Sequence, residues 1–72
     1  MIKIYLKEEF IRLGQALKAA NLVENGGEAK AVITDGEVRV NGAVEVQRGK
    51  KLRAGDIVSF HGETLEICER NA

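Results

Sequence analysis

The sequence is poor in several residue types on which protein chemistry often depends. It has one cysteine, no proline, no tryptophan and only three aromatic residues in 72 positions. A lone cysteine excludes an internal disulfide and a thiolate metal cluster within one chain, and we expect Cys68 to act as a small apolar residue at a strand end. No apolar run is long enough to cross a bilayer, and no signal peptide is recognisable. We therefore expect a soluble, cytoplasmic protein with a small core of Val, Ile, Leu and Ala.

Residues that catalyse reactions or bind metals are equally sparse. His61 is the only histidine and stands in a predicted turn, and Ser59 is the only serine and lies in a predicted strand. Gly26-Gly27 lacks the lysine and hydroxyl residues of a Walker-type phosphate loop. No spacing typical of metal ligands is present. These observations predict no enzymatic activity, no metal site and no cofactor.

The charges of the chain are balanced in number but uneven in distribution. There are 11 basic and 11 acidic residues, for a net charge of zero. From Val38 to Gly55, five basic residues and one acidic residue leave +4, so the other six basic and ten acidic residues leave −4. Four of these cations lie between Arg48 and Arg53. Crowded cations repel one another, and contact with phosphate relieves that repulsion; the alternative is an ordinary solvated loop.

Apolar periodicity predicts a small α+β fold, with a two-helix hairpin packed on a small, mostly antiparallel sheet. An acidic pair at positions 8 and 9 precedes apolar residues spaced by three and four, which predicts a first helix with Phe10 on its apolar face. Asn25, followed three residues later by Glu28, predicts the reciprocal cap of a second helix ending at Asp35-Gly36. Strands are predicted at residues 2–6, 37–40, 43–46, 56–60 and 63–68, with an Asn41-Gly42 turn and a polar basic loop at 47–55.

Two glycine sites have more than one interpretation. Gly14 costs roughly 1 kcal/mol relative to alanine inside a helix, and a small residue there would let another backbone come close. Gly26-Gly27 could supply backbone freedom for a tight turn into the second helix. Alternatively, the exposed amides of Gly26 and Gly27 could contact a phosphate at that helix start.

An ordered set of short motifs resembles a known family. The motifs are Arg12-Leu13, Leu17, Glu28-Ala29-Lys30, Ile33, the run Gly36-Glu37-Val38-Arg39-Val40-Asn41-Gly42, and Gly55-Asp56-Ile57-Val58. Together they resemble the alpha-L RNA-binding motif, a module named for small-subunit ribosomal protein S-four. Residues 26–30 with 48–52 look most like its short stand-alone bacterial members, the YbcJ-like proteins. The core of the motif would span about residues 10–60 of a single RNA-binding domain formed by residues 1–72.

The resemblance implies a non-catalytic protein that holds structured RNA on a basic face. The RNA would be double-stranded, ribosomal or transfer RNA, and the protein a monomer. The positions that the resemblance places at or beside the RNA are Arg12, Lys30, Arg39, Asn41, Arg48, Lys50, Lys51 and Arg53. Gly14 stands where the family often has an acid, and residues 25–27 lack the cation that the family often has there. No aromatic residue is near the basic run in sequence, which favours recognition of backbone and shape over stacking of single-stranded bases.

Two competing classes remain at the level of sequence. The order of elements also looks somewhat like a ubiquitin-like sulfur carrier, but such carriers need a C-terminal Gly-Gly and residues 69–72 are Glu-Arg-Asn-Ala. A protein-interaction module that docks its basic loop on an acidic partner is the second alternative. Salt-sensitive binding to RNA, and not to acidic proteins, would separate that module from an RNA-binding domain.

Overall fold

The computed structural model describes residues 1–70, which form two helices, a five-stranded sheet and a separate two-stranded sheet. The elements are β1 (Ile2–Tyr5), β2 (Ile11–Arg12), α1 (Leu13–Ala19), α2 (Gly26–Thr34), β3 (Val38–Val40), β4 (Ala43–Val44), β5 (Lys51–Leu52), β6 (Ile57–Phe60) and β7 (Glu63–Cys68). Asn71 and Ala72, at the end of the segment on which the sulfur-carrier comparison depends, lie outside the described residues. Within residues 1–70, neither helix has the length and apolar character needed to traverse a membrane.

The larger sheet is mostly antiparallel, as the sequence predicts. Its strand order is β1-β7-β6-β3-β4, and only the pairing of β1 with β7 is parallel. Alternate residues of β3, β6 and β7 are buried on one face, where they pack against α1 and α2. The fully buried side chains of this core include Leu13, Leu17, Ile33, Val38, Leu52, Val58, Leu65 and Ile67. The predicted fold class is therefore confirmed.

The second helix begins and ends where the sequence predicts. Asn25 caps α2, because its Oδ1 accepts a hydrogen bond from the Glu28 amide at 2.8 Å. The Glu28 carboxylate accepts from the amide of Glu24 at 2.7 Å, so the reciprocal bond reaches one residue further back than the usual capping box. Gly36, with a φ of 77°, follows the helix and turns the chain into β3.

The first helix is shorter than predicted, and Phe10 therefore lies before the helix and not within it. The pattern predicts a start at Glu8 and Glu9, but α1 begins at Leu13 because Ile11 and Arg12 pair with Leu52 and Lys51 as β2 and β5. The prediction that Phe10 lies on the apolar face of the helix is therefore wrong. The predicted basic loop at 47–55 likewise contains β5, and the strand predicted at 43–46 is limited to Ala43–Val44.

Asn41 closes the predicted β3–β4 turn and holds it to the neighbouring strand. The backbone φ is 52° at Asn41 and 87° at Gly42, the left-handed pair of a two-residue hairpin turn. The Asn41 side chain donates from Nδ2 to Asp56 Oδ1 at 3.0 Å and accepts from the Ile57 amide at 2.9 Å. Both polar atoms of the side chain are thus used within the domain.

Replacing Asn41 with alanine is expected to destabilise the protein by about 1–3 kcal/mol. The substitution removes both hydrogen bonds and places alanine in a left-handed backbone conformation. N41G, which removes the hydrogen bonds but suits the conformation, should lie between N41A and the unmodified protein. Urea denaturation followed by circular dichroism measures the differences, and equal stability of all three proteins would contradict this role for Asn41.

Candidate nucleic-acid interface

The basic loop (residues 47–55) is docked on the first turn of α1. The amide of Leu13 donates to the carbonyl of Lys50 at 2.9 Å, and that of Gly14 donates to the carbonyl of Arg48 at 3.1 Å. Arg12 Nη1 adds a bond to the Gly49 carbonyl at 2.9 Å. The first amides of a helix have no acceptors within the helix itself. The loop carbonyls therefore cap α1, and the same bonds hold the loop cations in place.

Gly14 allows this close approach. A β-carbon at Gly14 would lie 2.8 Å from Cγ and 3.3 Å from Cδ of Arg48, so any larger residue would displace the Arg48 side chain. Gly14 is buried and lies in ordinary helical backbone. The sequence led us to expect that a small residue at position 14 lets another backbone come close. The closest atoms instead belong to the Arg48 side chain, and the Arg48 carbonyl oxygen lies 3.7 Å from the β-carbon position.

A groove between the two helices collects part of the predicted surface. This α1–α2 groove has a volume of about 410 Å³. It is lined by Arg12, Gly14, Gln15, Lys18, Gly26, Ala29, Arg48 and Gly49. Three of these residues are cationic and none is acidic. The positive charge of the groove therefore attracts anions such as the phosphates of a polyphosphate backbone.

The cations of this region have no carboxylate partners. Within residues 1–70, the one contact within 4 Å between a basic and an acidic side chain joins His61, between β6 and β7, to Glu37, just before β3. The Arg12 and Lys18 side chains, and those of the basic loop, thus lie without a neutralising carboxylate at that distance. They are available to an anion from outside the protein.

Gly26 and Gly27 occupy the first turn of α2, and their backbone is ordinary. Among the described residues, the glycines with positive φ are Gly36, Gly42, Gly55 and Gly62. The interpretation that Gly26-Gly27 supplies backbone freedom for a tight turn is therefore wrong. A β-carbon at Gly26 would meet nothing within 4 Å. Gly26 lines the α1–α2 groove at a helix start, where the first amides have no acceptors within the helix.

The remaining loop cations line a second concavity. Lys50, Lys51 and Arg53 border about 470 Å³ of space together with Glu45 and Asp56. Asp56 is partly committed to the fold, because its Oδ2 accepts from the Arg53 amide at 2.8 Å. This side of the loop therefore mixes both signs of charge, whereas the α1–α2 groove carries only positive charge.

An aromatic ring lies among the cations, contrary to the expectation from sequence spacing. Lys51 Nζ is 4.8 Å from the centre of the Phe10 ring, and the guanidinium carbons of Arg12 and Arg53 are 5.5 and 5.8 Å away. Phe10 is about 40 residues from the basic run in sequence, and the pairing of β2 with β5 brings the two together. The expectation that no aromatic residue is near the basic run is therefore wrong, because the fold brings Phe10 next to these cations.

Two of the predicted positions, Arg39 and Lys30, line neither the α1–α2 groove nor the second concavity, and one cation of the groove was not predicted. Arg39 stands between two buried residues of β3, so it projects from the open face of the sheet, where its Nη1 donates to the Gly42 carbonyl at 3.2 Å. Lys30 is exposed on α2 but does not line the groove. Asn41 lines the second concavity with Lys50, Lys51 and Arg53, although its side chain is hydrogen-bonded within the turn. Lys18 lines the groove, and its spacing of four residues from Gly14 could have indicated this.

A helical hairpin on a mostly antiparallel sheet, with unpaired cations beside the hairpin, defines a small domain suited to binding a polyanion. The chain matches the S4 domain family over residues 4–68 and belongs to that family. The predicted membership in this RNA-binding, non-catalytic family is therefore confirmed.

Curated relatives support the same assignment over most of the chain. The chain is 42% identical over 59 residues to the protein named "Probable ribosome maturation protein RlbA" of Bacillus subtilis (strain 168), covering 82% of this chain and 83% of that one. It is 38% identical over 61 residues to "Putative RNA-binding protein YbcJ" of Escherichia coli (strain K12), covering 85% and 87%.

A solved structure agrees with the fold. The solution structure of YbcJ from E. coli, described as revealing an alpha-L motif involved in RNA binding, superposes with a TM-score of 0.73 at 36% identity. The match covers 94% of this chain and 87% of YbcJ. The resemblance to the YbcJ-like, alpha-L group is thus confirmed in both sequence and structure.

Proposed function

We propose that the protein binds structured RNA by its phosphate backbone, through the α1–α2 groove and the basic loop, and catalyses no reaction itself. The observation that carries the proposal is the set of cations in and beside the groove that have no carboxylate within 4 Å. Docking of the loop on α1 fixes their positions before RNA arrives. A preformed cationic surface loses less conformational entropy on binding than a mobile one.

Each part of the surface has a distinct role in this proposal. Arg12 and Arg48 can offer forked donors to phosphate oxygens across the groove, and Lys18 adds a point charge. Gly26 lines the same groove at the positive end of the α2 dipole, and we propose that the amides of Gly26 and Gly27 contact a phosphate there. Lys50, Lys51 and Arg53 extend the contact along the other side of the loop. Contacts of this kind suit paired RNA, which proteins recognise mostly by its shape and its phosphates.

The name of the Bacillus relative suggests the class of target. Because that relative is described as a ribosome maturation protein, we propose ribosomal RNA, bound by a monomer during ribosome assembly, as the natural substrate. Transfer RNA presents similar paired segments. Pull-down of tagged protein from cells, followed by sequencing of the crosslinked RNA, separates the two: enrichment of ribosomal RNA supports the proposal and enrichment of transfer RNA overturns this part of it.

The direct test is a binding titration at several salt concentrations with double-stranded RNA, single-stranded RNA and a matched DNA duplex. Affinity should be highest for paired RNA, and the logarithm of the binding constant should fall with the logarithm of salt by roughly 0.7–0.9 per phosphate contact. Absence of binding at low salt would overturn the proposal. It would favour instead the alternative in which the basic loop docks on an acidic protein.

Replacing Gly26 with alanine is expected to weaken RNA binding several-fold without loss of stability. Alanine favours the helix by up to about 1 kcal/mol and its β-carbon meets no protein atom within 4 Å, but it adds a methyl group at a residue that lines the groove. T34A, at the exposed last residue of α2, is the matched control, since it also improves helix propensity outside the groove. Fluorescence anisotropy and thermal melts measure both variants, and equal affinity of G26A and T34A would contradict an RNA contact at Gly26.

A further inference from the structure

Phe10 is packed against cations and not against the core. Within residues 1–70 the ring is half-buried, yet it is not among the partly buried residues that pack on the hydrophobic cluster. Its neighbours include the charged groups of Arg12, Lys51 and Arg53, all within 6 Å of the ring centre. A cation over an aromatic face is favourable, but three cations around one ring repel each other. A phosphate group entering among them would relieve that repulsion.

The Phe10 ring also borders a second groove, whose lining carries less net positive charge than that of the first. This β1–α1 groove has a volume of about 530 Å³ and lies between β1 and α1. Its lining includes Tyr5 and Phe10, two of the three aromatic residues of the chain. Tyr5 is 55% exposed, so the groove is open to solvent and offers ring surface to a ligand.

The two grooves meet along α1. Gln15 and Lys18 line both the α1–α2 groove and the β1–α1 groove. A chain that leaves the first groove past Lys18 therefore enters the second without crossing the protein. The charged lining of the β1–α1 groove is Lys7, Lys18 and Glu8, which leaves one net positive charge. The second groove thus combines ring surface with a weaker attraction for phosphate.

We propose that the β1–α1 groove is a subsite for an unpaired RNA nucleotide that adjoins the paired segment, with its base stacked on Phe10 and its phosphate held by Lys51, Arg53 or Arg12. The inference rests on the proposed function of the first groove. Bases inside an A-form helix have both faces covered by their neighbours, so only an unpaired nucleotide can offer a face to Phe10. Stacking on an aromatic ring accepts any base. The protein therefore selects junctions between paired and unpaired RNA over continuous duplex.

The test compares three RNAs: a blunt duplex, the same duplex with a short single-stranded extension, and the same extension built of abasic nucleotides. The natural extension should increase affinity over the blunt duplex by about tenfold. The abasic extension should restore little of that gain, because it retains the phosphates but has no base to stack. Equal affinity for the natural and abasic extensions would assign the gain to phosphate alone and overturn the proposal.

Two substitutions of Phe10 sharpen the comparison. F10L keeps an apolar side chain but removes the ring, and it should reduce the ratio of the affinities for extended and blunt RNA to near one. F10W keeps a ring and should retain the ratio. Because Phe10 is not packed on the core, both variants should fold, which thermal melts verify. An unchanged ratio in F10L overturns the proposal.

The absence of tryptophan from the chain gives a direct signal of stacking. F10W places the only tryptophan of the protein in the β1–α1 groove, and its fluorescence should be quenched by the extended RNA and less by the blunt duplex. V46W, at an exposed position outside both grooves, is the control and should respond to neither. Equal quenching of the two tryptophans by the extended RNA would overturn the subsite.

Failure of this inference is distinguishable from failure of the proposed function. If the β1–α1 groove does not bind a base, the blunt duplex still binds with a steep dependence on salt and only the preference for the extension is missing. If the α1–α2 groove does not bind RNA, salt-dependent binding of the blunt duplex is itself missing.

Discussion

The variant R48Q/K50Q/K51Q is expected to lose about two orders of magnitude in RNA affinity near 0.1 M salt, and to lose roughly 2–3 units of the log–log salt slope. Each side chain is exposed, and within the described residues none is paired with a carboxylate. Each is therefore proposed to release about one counterion from the RNA when it binds. Anisotropy titrations at four or more salt concentrations measure both quantities.

We expect the loss of RNA affinity to depend on where the three charges lie and not only on the change in net charge. A second triple variant tests this expectation. K3Q/R39Q/R70Q removes the same three charges from positions outside the α1–α2 groove and the basic loop. It should lose much less affinity and much less of the salt slope. Similar losses in the two variants would mean that net charge, and not the docked loop, governs binding.

Both triple variants should remain folded. The loop is held to α1 by the backbone carbonyls of residues 48 and 50 and by Arg12, and substitution of the loop side chains leaves those bonds intact. Thermal melts of R48Q/K50Q/K51Q should agree with those of the unmodified protein within a few degrees. Unchanged RNA affinity in this folded variant would remove the basic loop from the proposed site.

Replacing Leu52 with alanine is expected to have the largest effect on stability, about 2–5 kcal/mol. Leu52 stands between two exposed cations, yet its side chain is fully buried in the core. A domain of this size has a net stability of only about 5 kcal/mol or less. L52A should therefore be largely unfolded at 37 °C, even though the substitution lies within a stretch that resembles a surface loop.

Urea denaturation followed by circular dichroism measures this loss. L52M keeps most of the side-chain volume and should cost less than about 1.5 kcal/mol. V46A, which truncates an exposed side chain in the same part of the chain, should change stability by less than about 0.5 kcal/mol. A midpoint for L52A equal to that of V46A would show that Leu52 does not anchor the loop in the core.

The elements that could be predicted from the sequence are those specified by neighbouring residues. The Asn25 cap depends on Glu28 three residues away, and the β3–β4 turn depends on the adjacent pair Asn41-Gly42. Apolar alternation likewise predicted β3 and the β6–β7 hairpin. Each of these signals acts over a few residues, so a short stretch of sequence contains the full physical cause.

The parts that could not be predicted depend on contacts between distant residues. The two-residue pairing of β2 with β5 joins Ile11 to Leu52, and no local pattern marks so short a ladder. That pairing delays the start of the first helix to Leu13 and places Phe10 among cations. The apolar spacing of Phe10 and Leu13 fits a helix equally well, so periodicity alone favoured the wrong structure.

The glycines also differ in whether neighbouring residues or distant contacts explain them. A glycine marks either backbone freedom or lack of a side chain, and the sequence does not distinguish them. Gly42 has a positive φ, whereas Gly14 and Gly26 have ordinary helical backbone. At Gly14 the Arg48 side chain occupies the space that a β-carbon would need, and at Gly26 that space is empty. Only the position of Arg48 shows which use applies at Gly14.

Because the basic loop caps α1, the RNA binding proposed for that loop should stabilise the helix. A helix of seven residues is too short to survive alone in water, and two of its first amides depend on carbonyls of the loop. Fraying of α1 should therefore release the loop that carries the cations, and release of the loop should destabilise the first turn of α1. Bound RNA should accordingly slow hydrogen exchange at Leu13 and Gly14, whose amides are directed at the protein and not at the RNA. The same two hydrogen bonds, from the Leu13 and Gly14 amides to the loop carbonyls, should therefore link the stability of α1 to the binding of the ligand.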